Sequence, residues 1–257
     1  MTATQPELVF RRIDRGKGHS YTLNGDPLNG VTKLIGDGYP KPALINWAAN
    51  VTADCALDRW DELAHLPRSE RDKIIRRARW DHLDEASQRG KQAHDLIMRY
   101  ARGEEVEPPE ALEGYFRAYE QFAQDWQPKE LLIEASVVSI EYRYAGTPDV
   151  ICDLIDGQRW LLDYKTGGKG IFPDYALQLA AYRYADYVVT YNGQLEPMPR
   201  VDATGCVWIQ DGLYELVPVD AGPDTFAAFG YVQQIADFAT ADRGRVVGEA
   251  LPPPRDE

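Results

Sequence analysis

The chain has 257 residues, 44% of them hydrophobic, and a formal net charge of −13, enough for one large domain or two small ones around a sizeable core. No stretch is apolar over a bilayer-spanning length, and the first thirty residues lack an export-type apolar run, so neither a membrane-spanning nor a secreted protein is expected. Three well-separated cysteines, Cys55, Cys152 and Cys206, offer neither a disulfide framework nor paired zinc spacing and fit a reducing cytoplasm, while the acidic balance argues against a general nucleic-acid coating protein.

Asn-Gly and Gly-Asp-Pro punctuate "HSYTLNGDPLNGVT", residues 19–32, and predict a hairpin or two short strands. Pro40 and Pro42 close that loop and open a helical region from Ala43 to about Asp125. Apolar residues recur there at three- and four-residue spacing: Leu44, Trp47 and Ala48; Ile74, Ile75 and Ala78; Leu96, Ile97 and Tyr100; Tyr115, Ala118, Tyr119 and Phe122. Breaks near Pro67 and at Pro108-Pro109 divide it into three or four helices. Between Arg68 and Arg102 stand ten Lys/Arg against six Asp/Glu, a local +4 in a chain whose remainder is −17. Such a segment is either a solvated helix face laced with ion pairs or a phosphate-contacting surface.

After Pro128 the composition turns β-branched and aromatic, and "LLIEASVVSI", "RYAGTPDVICDLI" and "RWLLDYKT" predict three sequential antiparallel strands. Pro173-Asp174 opens a helix expected to continue through "YALQLAAYRYADYVV". "GCVWIQDGLYELVPV" predicts a hairpin centred on Asp211-Gly212, and a last helix runs from about Thr225 to Ala239. The proline-rich, charged tail 249–257 is expected to be disordered. Internal repeats are not evident.

The predicted strands contain residues that sit badly in a core. Asp163 and Lys165 are two apart and share one face of their strand. A two-residue turn at Asp156-Gly157 would send Asp149 to the opposite face, whereas a three-residue turn, Ile155-Asp156-Gly157 with a left-handed glycine, sets Asp149 opposite Asp163, so the longer turn, or a bulge with the same effect, is predicted. Opposed carboxylates of this kind have Cβ atoms about 5 Å apart and repel unless a positive group intervenes. A divalent cation, Mg²⁺ or Mn²⁺, answers that need through hard oxygen ligands and keeps water in its other positions. Lys165 would then steer or deprotonate that water, or offset charge on a phosphate. A plain Asp163–Lys165 ion pair beside a turn-side Asp149 is the other reading.

The ordered set G-T-P-D (146–149), D-Y-K-T (163–166) and Q-L-A-A-Y (178–182) resembles the PD-(D/E)XK nuclease superfamily, and within it the RecB-like exonucleases, among them phage-encoded exonucleases and the CRISPR-adaptation exonuclease. The likeness covers roughly residues 87–190, with a weaker similarity at "KPALINWAAN". It implies Asp149 and Asp163 as metal ligands and Lys165 as the catalytic lysine. It also implies His94, in "RGKQAHDL", as a further ligand from an upstream helix, which favours Mn²⁺ over Mg²⁺. Gln178 and Tyr182, i and i+4 on one helix face, would hold the lysine or the DNA backbone. Glu134 is a secondary candidate, on the strand where many relatives carry an acid. Four cluster-binding cysteines are missing, so no iron-sulfur cluster is expected; no G-x-x-x-x-G-K-[ST] loop occurs, so no nucleotide is either. The glycine-rich "YKTGGKG" reads as a substrate-side loop.

The resemblance therefore implies an α/β (α+β) protein with a restriction-endonuclease-like core, a mixed, centrally antiparallel sheet flanked by helices, and a helical N-terminal wall. Residues 1–248 would form one nuclease domain: a β-hairpin region 1–42, the helical segment 43–127 carrying His94, and the catalytic sheet and helices 128–248. The implied activity is metal-dependent hydrolysis of DNA by an exonuclease of phage-type recombination or repair, in the cytoplasm, or the host cytoplasm if phage-encoded. Arg76, Arg77, Arg79, Arg89 and Lys91 would guide DNA, with a single-strand annealing protein or helicase as a further partner. A restriction-type endonuclease and an inactive nuclease-fold module for DNA binding or assembly stay open, as do digestion polarity and oligomeric state.

Overall fold

The computed structural model describes residues 8–16, 18–166, 170–241 and 243–251. The expected substrate-side loop at 167–169 and most of the expected disordered tail, from 252 on, lie outside these residues. Three strands open the chain, β1 (Phe10–Arg15), β2 (Gly18–Leu23) and β3 (Asp26–Gly30). Asn24 and Gly25 join the last two with φ of 54° and 89°, the left-handed pair that a tight hairpin requires. The predicted hairpin is thus extended by β1. It is followed by an unpredicted helix, α1 (Val31–Gly38), whose buried Val31, Leu34, Ile35 and Gly38 form one face. At two turns, with glycines inside it, this helix carries too little periodicity to stand out.

The helical region comprises α2 (Pro42–Asp58), α3 (Trp60–Ala64), the long α4 (Arg68–Ala101), and a 3-10 turn at Glu110–Leu112 leading into α5 (Glu113–Trp126). Its two halves differ. No residue of α2 is buried, and Leu44, Ile45, Leu57 and Trp60 are exposed, so α2, α3 and the first turns of α4 form an arm. The far end of α4 enters the core through Ala93, Leu96, Ile97 and Met98.

Next come β4 (Lys129–Ile133), β5 (Val137–Ser139), β6 (Tyr144–Gly146), β7 (Val150–Asp153), β8 (Arg159–Thr166) and α6 (Pro173–Arg183). The chain ends with β9 (Tyr187–Val189), β10 (Leu195–Pro197), β11 (Ala203–Gln210), β12 (Leu213–Pro218), α7 (Pro223–Ala239) and a short α8 (Arg243–Val246). Among the described residues no helix is long and apolar enough to cross a membrane. The protein is a mixed α/β structure with mixed sheets flanked by helices.

Two of the three expected central strands are in fact broken. "LLIEASVVSI" divides into β4 and β5 at Glu134, whose φ is 46°, and "RYAGTPDVICDLI" divides into β6 and β7 at Thr147-Pro148-Asp149. Each run therefore passes from one sheet to another. One sheet has the order β1-β2-β3-β6-β5-β9-β10, the other β12-β11-β8-β7-β4. In the second, β4, β7 and β8 pair antiparallel and β8 pairs parallel with β11. The helix expected through Val189 stops at Arg183. Beyond it Asp186 accepts the Ile140 N–H at 2.6 Å and the Ser139 hydroxyl at 3.1 Å, and β9 pairs with β5 instead.

Side chains alternate across β8. Leu161 packs with α1, α6 and α7 in one core, while Trp160, Leu162 and Tyr164 pack with α5 and the end of α4 in another. The β7–β8 loop is the three-residue turn. Asp153 pairs with Arg159, Leu154 N–H bonds to the Gln158 carbonyl at 3.1 Å, and Gly157 has φ 78°. Because this φ disfavours a side chain, Gly157→Val is expected to lower unfolding free energy by about 1–2 kcal/mol in urea titration, with Gly157→Asn costing less.

Candidate active site

The β7–β8 register decides which side chains meet. Val150 pairs with Leu162, so Asp149, the residue just before β7, stands opposite Asp163. Asp149 lies where the chain crosses between sheets. Its carbonyl accepts the Glu134 N–H at 2.8 Å, which ties the two strand breaks together. Its carboxylate accepts the Tyr164 N–H at 2.7 Å through Oδ2, and Oδ1 lies 3.1 Å from His94 Nε2. Asp163 is 3% exposed. Its Oδ1 accepts the Gln178 amide at 3.1 Å, and its Oδ2 lies against the Lys165 ammonium, outside hydrogen-bonding alignment.

His94 reaches Asp149 because α4 is pinned to β8 one turn earlier. The Thr166 hydroxyl donates to the Gly90 carbonyl at 2.9 Å. Glu134 occupies the kink beyond β4 rather than the expected strand, since its left-handed backbone ends the strand before it, and it pairs with Arg102. From the other side, α6 presents Gln178 and Tyr182. Tyr182 is buried, accepts from the Gln178 amide at 3.2 Å, and packs so close to Gly146 that a Cβ there would stand 2.3 Å from its ring. A residue the sequence reading missed belongs here too. The Lys165 ammonium lies 4.4 Å from the centre of the Tyr175 ring, within cation–π range. Its signal was the stripe 175, 178, 182 at i, i+3, i+7 on one helix.

The charges respond to each other. Burial raises the Asp163 carboxyl pKa, and the facing Asp149 charge raises it further, against the pull of Lys165 and His94. Burial disfavours charge on Lys165, but the Asp163 and Asp149 carboxylates outweigh it and hold the ammonium protonated. His94 shows the same contest. Burial lowers its pKa, yet the hydrogen bond and charge of Asp149, helped by Glu134 and Asp163, leave it raised above 6.5.

The basic residues of α4 divide into two groups. Arg89 and Lys91 are exposed on either side of Gly90, beside the end of β8. Arg76, Arg77 and Arg79 are not brought to the site. They lie four to five turns before His94, roughly 20–27 Å along the axis; Arg76 pairs with Asp72 at 2.7 Å, Arg77 with Asp81 at 2.9 Å, and Arg79 stacks on Trp80.

His94, Asp149 and Asp163 could hold a divalent ion by donor chemistry: one neutral imidazole and two opposed carboxylates, one of them buried with an oxygen lacking an aligned hydrogen bond. Yet among the described residues no three His, Cys, Asp or Glu side chains stand already gathered as a cation cage. Lys165 and Gln178 contact Asp163, while His94 and the Tyr164 N–H contact Asp149. A cation would take the place of the lysine and imidazole contacts. Comparison with known proteins finds no matching family model and no matching curated relative.

Without metal, the raised pKa of His94 means that its contribution to stability is complete below pH 6.5 and fades as pH rises through the folded-state value. Thermal melts in EDTA above pH 6.5 should show the wild-type advantage over His94→Gln shrinking with pH; an advantage that grows would reverse the assigned sign.

Proposed function

We propose that this chain is a Mg²⁺- or Mn²⁺-dependent deoxyribonuclease with a restriction-endonuclease-like core, acting as an exonuclease of the phage recombination or repair type. One observation carries the proposal. Two carboxylates, Asp149 and Asp163, face each other across β7 and β8 with Lys165 two residues further on the same face. His94 and Gln178 close on them from separate helices.

A divalent ion held by His94, Asp149 and Asp163 would supply Lewis acidity toward a phosphoryl oxygen and a more acidic water. The chain does the positioning. The Tyr164 N–H fixes one oxygen of Asp149, and Gln178, backed by the Tyr182 hydroxyl, orients Asp163. Lys165, kept protonated, is suited to donate to the phosphoryl oxygen as charge develops there. That role fits it better than taking a proton from water. Tyr175 holds the ammonium in place.

A second reading has its own support: each carboxylate already has a cationic or hydrogen-bonding partner within the protein. A non-cleaving DNA-binding or assembly module would need nothing more. Linear and covalently closed DNA incubated with Mn²⁺, Mg²⁺ or EDTA separate the cases. Metal-dependent loss of linear DNA alone is expected. Cut circles would mark a restriction-type endonuclease, and intact DNA throughout would favour the module.

Calorimetry should detect Mn²⁺ binding that strengthens as pH rises, since His94 and Asp163 must shed protons to ligate. Lys165→Ala should lower turnover by about 100-fold or more while circular dichroism stays near wild type. Tyr175→Leu should reduce kcat several-fold with little change in KM, and Tyr175→Phe, which keeps the aromatic face, should restore it.

A further inference from the structure

We propose that the inner face of the β1–β2 hairpin, centred on Arg12, is a second contact for the nucleic-acid backbone and takes phosphates of the strand held at Asp149 and Asp163. This rests on the nuclease reading and adds a surface to it. The hairpin is a basic element joined to the site by direct contacts. Residues 10–18 hold four Lys/Arg and one Asp in a chain of net charge −13; Arg12 shares its face of β1 with Asp14 and, across the ladder, Tyr21, while Arg11 and Arg15 alternate to the other face.

Its connection to the site is a run of hydroxyls. Thr147, separated from Asp149 by Pro148 alone, has its hydroxyl 2.9 Å from the Tyr21 hydroxyl and 3.2 Å from that of Ser136. Arg12 pairs with Tyr21 across the strands and points a guanidinium nitrogen at the same Thr147 oxygen, 3.4 Å away. The Tyr21 side chain is buried beneath, so its hydroxyl is fixed in position. Arg12 also contacts Asp14 at 3.0 Å, an exposed pair that screening leaves weak and that a phosphate can replace with a bidentate partner for the guanidinium. His19, opposite Asp14, packs edge-on to Tyr21. The buried Tyr21 and Ser136 hydroxyls hold the half-buried Thr147 oxygen toward Arg12, so the guanidinium is stationed beside the carboxylate pair, where a polyanion lying across that acidic centre needs a cationic contact. The α4 arginines Arg76 and Arg77 lack this proximity and are matched by their own aspartates.

The test measures binding apart from cleavage: fluorescence anisotropy of a short labelled phosphorothioate oligonucleotide, single-stranded and duplex, in Mn²⁺ over a salt series. Arg12→Gln is expected to weaken binding by roughly five- to tenfold and to lower the salt slope by about one, as loss of one phosphate contact does. Arg12→Lys should retain most of the affinity, and Arg76→Gln/Arg77→Gln should change it little. Wild-type binding with an unchanged Arg12→Gln, or a larger loss from the α4 pair, overturns the hairpin site and leaves the nuclease reading standing. A wild-type protein that neither binds nor degrades DNA overturns both. Arg12 is partly exposed, and matching melting temperatures for Gln and Lys variants would exclude misfolding as the cause.

Discussion

Like charges on hydrogen-bonded neighbouring strands cannot move apart, and this is the constraint around which the site is organised. The β7–β8 ladder fixes Asp149 opposite Asp163, and burial of Asp163 removes the water that would soften their repulsion. A buried charge without compensation costs several kcal/mol. Compensation is therefore drawn from every nearby element: an ammonium from β8, an imidazole from α4, an amide from α6 and a backbone N–H from the ladder itself. That the partners come from distant parts of the chain makes the site a product of the whole fold.

The strand breaks serve the same end. An unbroken β6–β7 strand would carry Asp149 deep into a ladder, where both its backbone groups would be committed on either side. The crossing at Thr147-Pro148-Asp149 places it at a sheet boundary, tied to the other crossing through Glu134. Arg102 then anchors Glu134 to the end of α4, and the Gly90–Thr166 contact fixes the same helix one turn before His94. Two attachments on either side of one histidine set its reach.

Local chemistry made much of this legible in the sequence. The need for Asp149 and Asp163 to share a face selected the three-residue turn Ile155-Asp156-Gly157 over a two-residue one, and the β7–β8 register has that turn. Gln178 and Tyr182 came from the resemblance, and helical spacing put them on one face. What stayed hidden depended on tertiary context. Glu134 adopts a left-handed backbone that no glycine or asparagine announced, so one long β-pattern concealed two strands in different sheets. Past Arg183 no glycine or proline ends the helical pattern before Gly193, but Tyr187, Val188 and Val189 favour a strand and pair with β5 or β10. The arginines at 76, 77 and 79 looked adjacent to His94 in one helix, yet a rise of about 1.5 Å per residue carries them far from it. Tyr175 lies on the stripe of Gln178 and Tyr182, but only the folded chain brings its ring to the Lys165 ammonium.

The arm has a different consequence. A helix with no buried residue, resting chiefly on the outer turns of α4, shares little apolar surface with the two cores. Opening it sacrifices few contacts, so its amides should belong to a low-stability cooperative unit while those of β7, β8 and β11 exchange only on global unfolding. The lower turns of α4 can then fray from the arm side while His94, clamped at Gly90 and Arg102, keeps its place.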